Sequence, residues 1–165
     1  MSDSTHRPEI VTFCERLAEL DAADRARLKR SAGRSLAESG DALGLFYRIL
    51  PAGLSGASEE IFFMLATLYP LAEPGEGGNL GATLRRARSE SNGAGLDRRV
   101  QILLDADAAQ LGFRLRQAIR YAQSQRVAVA WPTLLRDLLY WDHPDRFVQR
   151  AWAQSYFGLQ PRAES

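Results

Sequence analysis

Few side chains in these 165 residues could perform covalent or acid–base chemistry, and their positions argue against it. His6 falls in an N-terminal tail expected over residues 1–8, and His143 stands between Asp142 and Pro144 at a helix start, so neither imidazole is enclosed by a polar pocket. Cys14 lies on the apolar face of an amphipathic segment, the setting of a small buried hydrophobe rather than of a thiolate nucleophile. Asp105 with Asp107, and Asp142 with Asp145, supply two carboxylates each and no further oxygen ligand. Acids at such helix junctions cap backbone N–H groups and complement the helix dipole. No phosphate loop ending in Gly-Lys-Ser/Thr occurs. A catalytic centre, a metal site, a cofactor and a small-molecule substrate are therefore not expected.

What remains is charge. The formal net charge is +1, which by itself points to no polyanionic partner, but its distribution is uneven. Residues 1–82 carry 8 basic and 12 acidic side chains, whereas residues 83–165 carry 13 basic and 8 acidic. Twenty of the 21 basic residues are arginine, the better bidentate phosphate ligand and the one that stacks on bases. Arginine in place of lysine, together with abundant alanine, is also what a GC-rich genome writes everywhere. Clustering therefore carries more weight than identity.

The elements that position these cations read as helices throughout. Ile10, Phe13, Cys14, Leu17 and Leu20 mark a first amphipathic helix, after which Asp21 is placed to cap a second. In the second, the stripe Leu28, Ala32, Leu36 faces inward, Arg27, Arg30 and Arg34 lie opposite, and Arg25 and Lys29 flank them. Asp41 is expected to cap a helix through Leu50, and Ser58 one from Ile61 to Tyr69. The run Glu73-Pro-Gly-Glu-Gly-Gly-Asn-Leu-Gly81 reads as a surface loop or a linker, followed by a helix capped by Asn79 that carries Arg85 and Arg86. Ser91 to Gly95 reads as a second flexible stretch, with Asp97 as the cap of a helix bearing Arg98 and Arg99. In the next helix Leu111, Leu115, Ala118, Ile119 and Ala122 pack inward, while Phe113, Arg116 and Arg120 project outward, an aromatic among cations as single-stranded nucleic acid would use. The plainer alternative is that Phe113 packs on another helix or a second protomer. All three tryptophans fall between Trp131 and Trp152, in two helices expected to pair as a hairpin around the indoles.

The expected fold is all-α, a compact arrangement of about eight or nine helices over residues 9–157, either as one bundle or as halves 9–72 and 80–157 joined near residues 73–81. A C-terminal tail is expected over 158–165. One cysteine excludes an internal disulfide, and no apolar run reaches the roughly 20 residues needed to cross a bilayer. The N-terminus lacks an apolar signal core, so a cytoplasmic location without membrane contact is expected.

Several blocks, in order, resemble the CasB-type small subunit of type I-E CRISPR Cascade surveillance complexes. They are Arg25-Ala-Arg-Leu-Lys-Arg30, Phe46-Tyr-Arg-Ile-Leu50, Leu80-Gly-Ala-Thr-Leu84, Asp97 to Ala106 with Leu111 and Leu115, and Trp131-Pro-Thr-Leu-Leu-Arg-Asp-Leu-Leu-Tyr-Trp141 with Val148 to Tyr156. The resemblance implies a non-catalytic subunit, present as two copies beside other Cascade subunits and guide RNA, that holds the displaced non-target DNA strand. By resemblance Arg25, Lys29, Arg30, Arg98, Arg99 and Arg116 are the strand-contacting positions. Arg27, Arg34, Arg85, Arg86 and Arg120 join them by helical spacing alone. A scaffold or adaptor, and a dimeric helical DNA-binding regulator, are the alternatives.

Overall fold

Residues 2–159 are described by the computed structural model, with side chains from Pro8 onward. Met1, the His6 side chain and residues 160–165 of the expected C-terminal tail lie outside the described residues. Nine α-helices and three short 3-10 turns follow one another among the described residues, where the sole β feature is a single parallel bridge between Pro74 and Val129.

Helix α1 (Ser2–Ala18) buries Ile10, Phe13 and Leu17, one side chain per turn. Asp21 then accepts from the Asp24 backbone N–H at 2.8 Å and caps α2 (Ala22–Lys29). This helix is shorter than the stripe through Leu36 predicts. Gly33 adopts φ +79°, a left-handed conformation that suits glycine and breaks the helical path. Leu36 therefore falls in a 3-10 turn, Leu36–Glu38, and Arg34 lies beyond the helix that was expected to carry it.

Two expected caps sit elsewhere. Asp41 lies inside a second 3-10 turn, Gly40–Ala42, where its carboxylate accepts from Arg30, and α3 (Leu43–Ile49) begins without a side-chain cap. Ser55 rather than Ser58 caps α4 (Gly56–Leu68), accepting from the Ser58 N–H at 3.3 Å. Either hydroxyl suits the role, and the earlier one adds a turn of helix. A third 3-10 turn, Tyr69–Leu71, follows.

The glycine-rich stretch is tied rather than loose at its base. Val129 donates to the Glu73 carbonyl at 2.9 Å and Gly75 donates to Val129 at 3.0 Å. Asn79 caps α5 (Leu80–Ala87) as expected, accepting from Ala82 at 2.9 Å. The Ser91 to Gly95 stretch is ordered by Asn92, which accepts from the Ser89 N–H at 2.7 Å and donates to the Ala87 carbonyl at 3.1 Å. Its glycines consequently form the first turn of α6 (Gly93–Leu104), and Asp97 is inside that helix instead of capping it. Asp107 caps α7 (Ala108–Ser124), accepting from Gln110 at 3.0 Å. Helices α8 (Trp131–Leu139) and α9 (Phe147–Phe157) complete the chain, with Pro132 in the first turn of α8, where its missing N–H is harmless.

One apolar cluster runs from Ile10 to Tyr156, with α1 and α4 packed on α8 and α5 packed along α9. The hairpin expected of α8 and α9 is not a packed pair: α8 lies on α1 and α4 while α9 lies on α5, Trp131 meets Tyr69, and of the other indoles only Trp141, past the end of α8, meets Trp152. Trp141 and Trp152 meet with ring centroids 5.0 Å apart, and both of their indole N–H groups are satisfied: Trp152 donates to Asp137 Oδ2 at 2.8 Å and Trp141 to the Ala106 carbonyl at 2.9 Å, whereas the buried Trp131 N–H has no partner among the described residues. Helix α5 approaches so closely that a Cβ on Gly81 would lie 2.2 Å from the Trp152 carbonyl oxygen. No helix among the described residues is long and apolar enough to cross a membrane.

Candidate nucleic-acid interface

A close approach of two main chains places the cations of α2 and α7. A Cβ on Gly112 would lie 2.2 Å from the Gly33 carbonyl oxygen, and one on Gly33 would lie 2.8 Å from the Gly112 oxygen. Only glycine at both positions permits this crossing. From it, α7 presents Arg116, Arg120 and Gln123 along one face, at spacings of four and three. Lys29 and Arg25 succeed one another on α2 at a spacing of four, leading away from Gly33. Gln123 shares a recess with Arg25 and Lys29, so the two helices pass in opposite directions, with the Tyr69–Leu71 turn packed against both and filling the space between them. Arg25 and Lys29 line the recess, and Arg116, which lies against Gly33, shares with Arg120 the face of α7 that leads to Gln123, so the groove over that turn has Arg25 and Lys29 on one bank and, by helical register, Arg116 and Arg120 on the other.

None of these four cations pairs with a carboxylate among the described residues. Lys29 and Arg120 are exposed and make no side-chain hydrogen bond among the described residues, while Arg25 donates to the Ala18 carbonyl at 3.1 Å. Arg116 is half-buried rather than projecting freely, because the turn after α2 covers that face of α7, and its Nε is enclosed without a hydrogen-bond partner. Gly33 and Gly112, which set the crossing, were not singled out in the sequence. A lone glycine interrupting the stripe Leu28, Ala32, Leu36 is the signal that marks such a contact.

The other candidate residues go elsewhere. Arg30 is exposed as expected and Arg27 half-buried, but both converge on Asp41, at 3.0 and 3.6 Å, and Arg27 also reaches Asp24 at 3.3 Å. Arg34 is exposed near Glu38, past the end of α2. Arg85 donates to the Tyr156 carbonyl at 2.8 Å and Arg86 to the Gly77 carbonyl at 2.9 Å, so both brace main chain. On α6, Arg98 is exposed and makes no side-chain hydrogen bond or ion pair among the described residues, and Arg99 lies 5.4 Å from the Tyr121 ring centroid. Phe113 is 51% exposed, as the periodicity of α7 predicts, with the Arg114 guanidinium over its ring at 5.2 Å.

A second arginine-rich region sits where α5, α6 and α9 meet. Arg88 forms a two-pronged contact with Asp97, at 2.9 and 3.1 Å, and the Tyr156 hydroxyl donates to the same carboxylate at 2.6 Å. The Arg88 hydrogen bonds, then that from Tyr156, hold the Asp97 carboxyl down to about 2. Burial, then the bond to Asp97, pushes the Tyr156 hydroxyl up.

Burial pushes the Cys14 thiol up to about 12, which leaves it protonated near neutral pH. Among the described residues, no group of three or more His, Cys, Asp or Glu side chains is placed to hold a metal ion.

The family model for the CRISPR-associated protein Cse2 matches residues 24–157. A CRISPR-associated Cse2 protein of Thermus thermophilus is 38% identical over 101 residues, 60% of this chain and 57% of the relative, so the alignment spans little more than half of that protein. CasB from Thermus thermophilus aligns in three dimensions with a TM-score of 0.76 at 30% identity, over 91% of this chain and 96% of that one. A chain of a CRISPR RNA-guided surveillance complex aligns with a TM-score of 0.75 at 25% identity, over 94% of this chain and 93% of that one. With a family match running from the first turn of α2 to the last residue of α9, and a fold shared along nearly the whole chain, this protein belongs to the CRISPR-associated Cse2 family of CasB-type small subunits.

Proposed function

We propose that this chain is a non-catalytic subunit of a type I-E CRISPR RNA-guided surveillance complex in the cytoplasm, and that its α2–α7 groove holds the displaced single DNA strand. It works there beside the other subunits, the guide RNA and a second copy of itself. The observation that carries the reading is the opposed pair of cationic banks, Arg25 and Lys29 facing Arg116 and Arg120, with no carboxylate paired to any of them among the described residues. Exchange of a DNA duplex for an RNA–DNA heteroduplex is nearly balanced in free energy, so modest protein contacts bias the open state. Phosphate contacts from these cations supply that bias without regard to base sequence. A near-neutral chain holds a strand weakly on its own, measurably at low salt, and docking in a complex raises the effective concentration of the strand.

Lys29→Ala combined with Arg120→Ala tests the reading in the reconstituted complex. R-loop yield is expected to fall, more steeply as salt rises, with assembly and helical content unchanged. For a single-stranded oligonucleotide, the slope of log affinity against log salt should shrink by about 1.4 if both side chains neutralise phosphates. Unchanged R-loop yield with intact assembly would favour a scaffold, and preference for duplex over single strand would favour a regulator.

A further inference from the structure

The groove ends in a recess of about 490 Å³, within the ~300–1,000 Å³ typical of small-ligand pockets. Its walls differ in chemistry. Ala22 and Ala26 of α2, with Leu71 and Ala72, give smooth apolar surface, and Tyr69, 6% exposed and packed on Trp131, forms part of the inner wall. Arg25 and Lys29 stand on the α2 side, while Gln123 and Glu73 stand on the other. The Gln123 Oε1 accepts from the Glu73 backbone N–H at 3.3 Å, which fixes the amide and leaves its nitrogen with no hydrogen bond among the described residues.

We infer that this recess takes one unstacked nucleobase of the bound strand, with the flanking phosphates on Arg25 and Lys29 and the Gln123 amide donating to a base carbonyl. The inference rests on the strand-holding reading above and adds to it a base-binding subsite. Charge dictates the orientation: the Glu73 carboxylate repels a phosphate and tolerates a base edge, whereas the α2 side attracts the backbone. A flat ring with polar edges suits walls that are apolar with a few polar groups. The recess also lies at the end of the groove farthest from the Gly33–Gly112 crossing, where the banks no longer meet main chain to main chain.

Fluorescence anisotropy with the full chain at low salt tests this, using an oligodeoxycytidine and an abasic strand with the same number of phosphates. The oligodeoxycytidine should bind about tenfold more tightly, the scale of one base contact. Ala26→Leu, which fills the recess without altering charge at an exposed helical position, should lower its affinity to that of the abasic strand and leave abasic binding unchanged. Circular dichroism of the variant verifies the fold. Equal affinity for the two strands, or a base preference that survives Ala26→Leu, overturns the inference; loss of that preference in Phe113→Ala would then locate the base on α7 instead. If neither strand binds, or if Lys29→Ala with Arg120→Ala leaves abasic binding intact, the strand-holding reading fails as well.

Discussion

The α2–α7 groove and the corner formed by α5, α6 and α9 draw on the same residue type and use it in opposite ways. In the corner three guanidinium groups have internal acceptors: Arg85 the Tyr156 carbonyl, Arg86 the Gly77 carbonyl, and Arg88 both oxygens of Asp97. In the groove Lys29 and Arg120 have none among the described residues. Arginine count does not distinguish the two regions. What distinguishes them is pairing with carboxylate: Arg88 holds Asp97, whereas the groove cations pair with no carboxylate among the described residues and only Arg25 reaches a carbonyl, that of Ala18. The corner is a structural clamp, and the groove keeps its cations available to an external anion.

Substitutions can break or sharpen this contrast, and the largest effect is expected in the corner. Trp152→Ala removes a buried indole that stacks on Trp141 and bonds to Asp137, and should cost about 3–5 kcal/mol in urea unfolding. A result near zero would mean that the α9 side is not a clamp. Next is Gly112→Ala, where the new methyl meets the Gly33 carbonyl: about 1–3 kcal/mol of destabilisation is expected, with weakened single-strand binding although no cation has changed. Binding that stays intact in this variant would separate the groove from its crossing.

A smaller effect is set by pH. The Asp97 carboxyl is held at about 2 in the folded chain against an ordinary value of 3.8, so its contribution to stability is complete above about pH 4 and is lost as pH falls towards 2. Asp97→Asn lacks that contribution. The stability curves of the two proteins should converge near pH 2 and separate above pH 4, and parallel curves would show that Arg88 does not depend on the Asp97 charge. Smallest of all is Lys29→Ala with Arg120→Ala, which should change unfolding free energy by no more than about 0.5 kcal/mol per site. A clear loss of stability there would make the groove a second clamp and erase the contrast.

Helices and most of their starts were legible because the determinants are local. Apolar spacing marked α1, α7, α8 and α9, though not that α8 and α9 pack on different partners, and Asp21, Asn79 and Asp107 cap the helices that begin next to them. The site was less legible because its determinants are not local. Asp41 has the sequence position of a cap, yet its acceptors serve Arg27 and Arg30, 14 and 11 positions earlier. Asp97 likewise reads as a cap until Tyr156, 59 positions away, is folded against it. Spacing placed Arg27, Arg30 and Arg34 on one solvent face. Gly33 ends that face early and brings Arg116, from a distant helix, beside α2 instead.

The meeting of Gly33 and Gly112 has a further consequence for how such a surface diversifies. Where main chain touches main chain, the gauge between the two banks is set by atoms that every residue possesses. Substitutions farther along either helix can recolour the lining, exchanging a lysine for an arginine or a glutamine for something bulkier, while the track keeps its width.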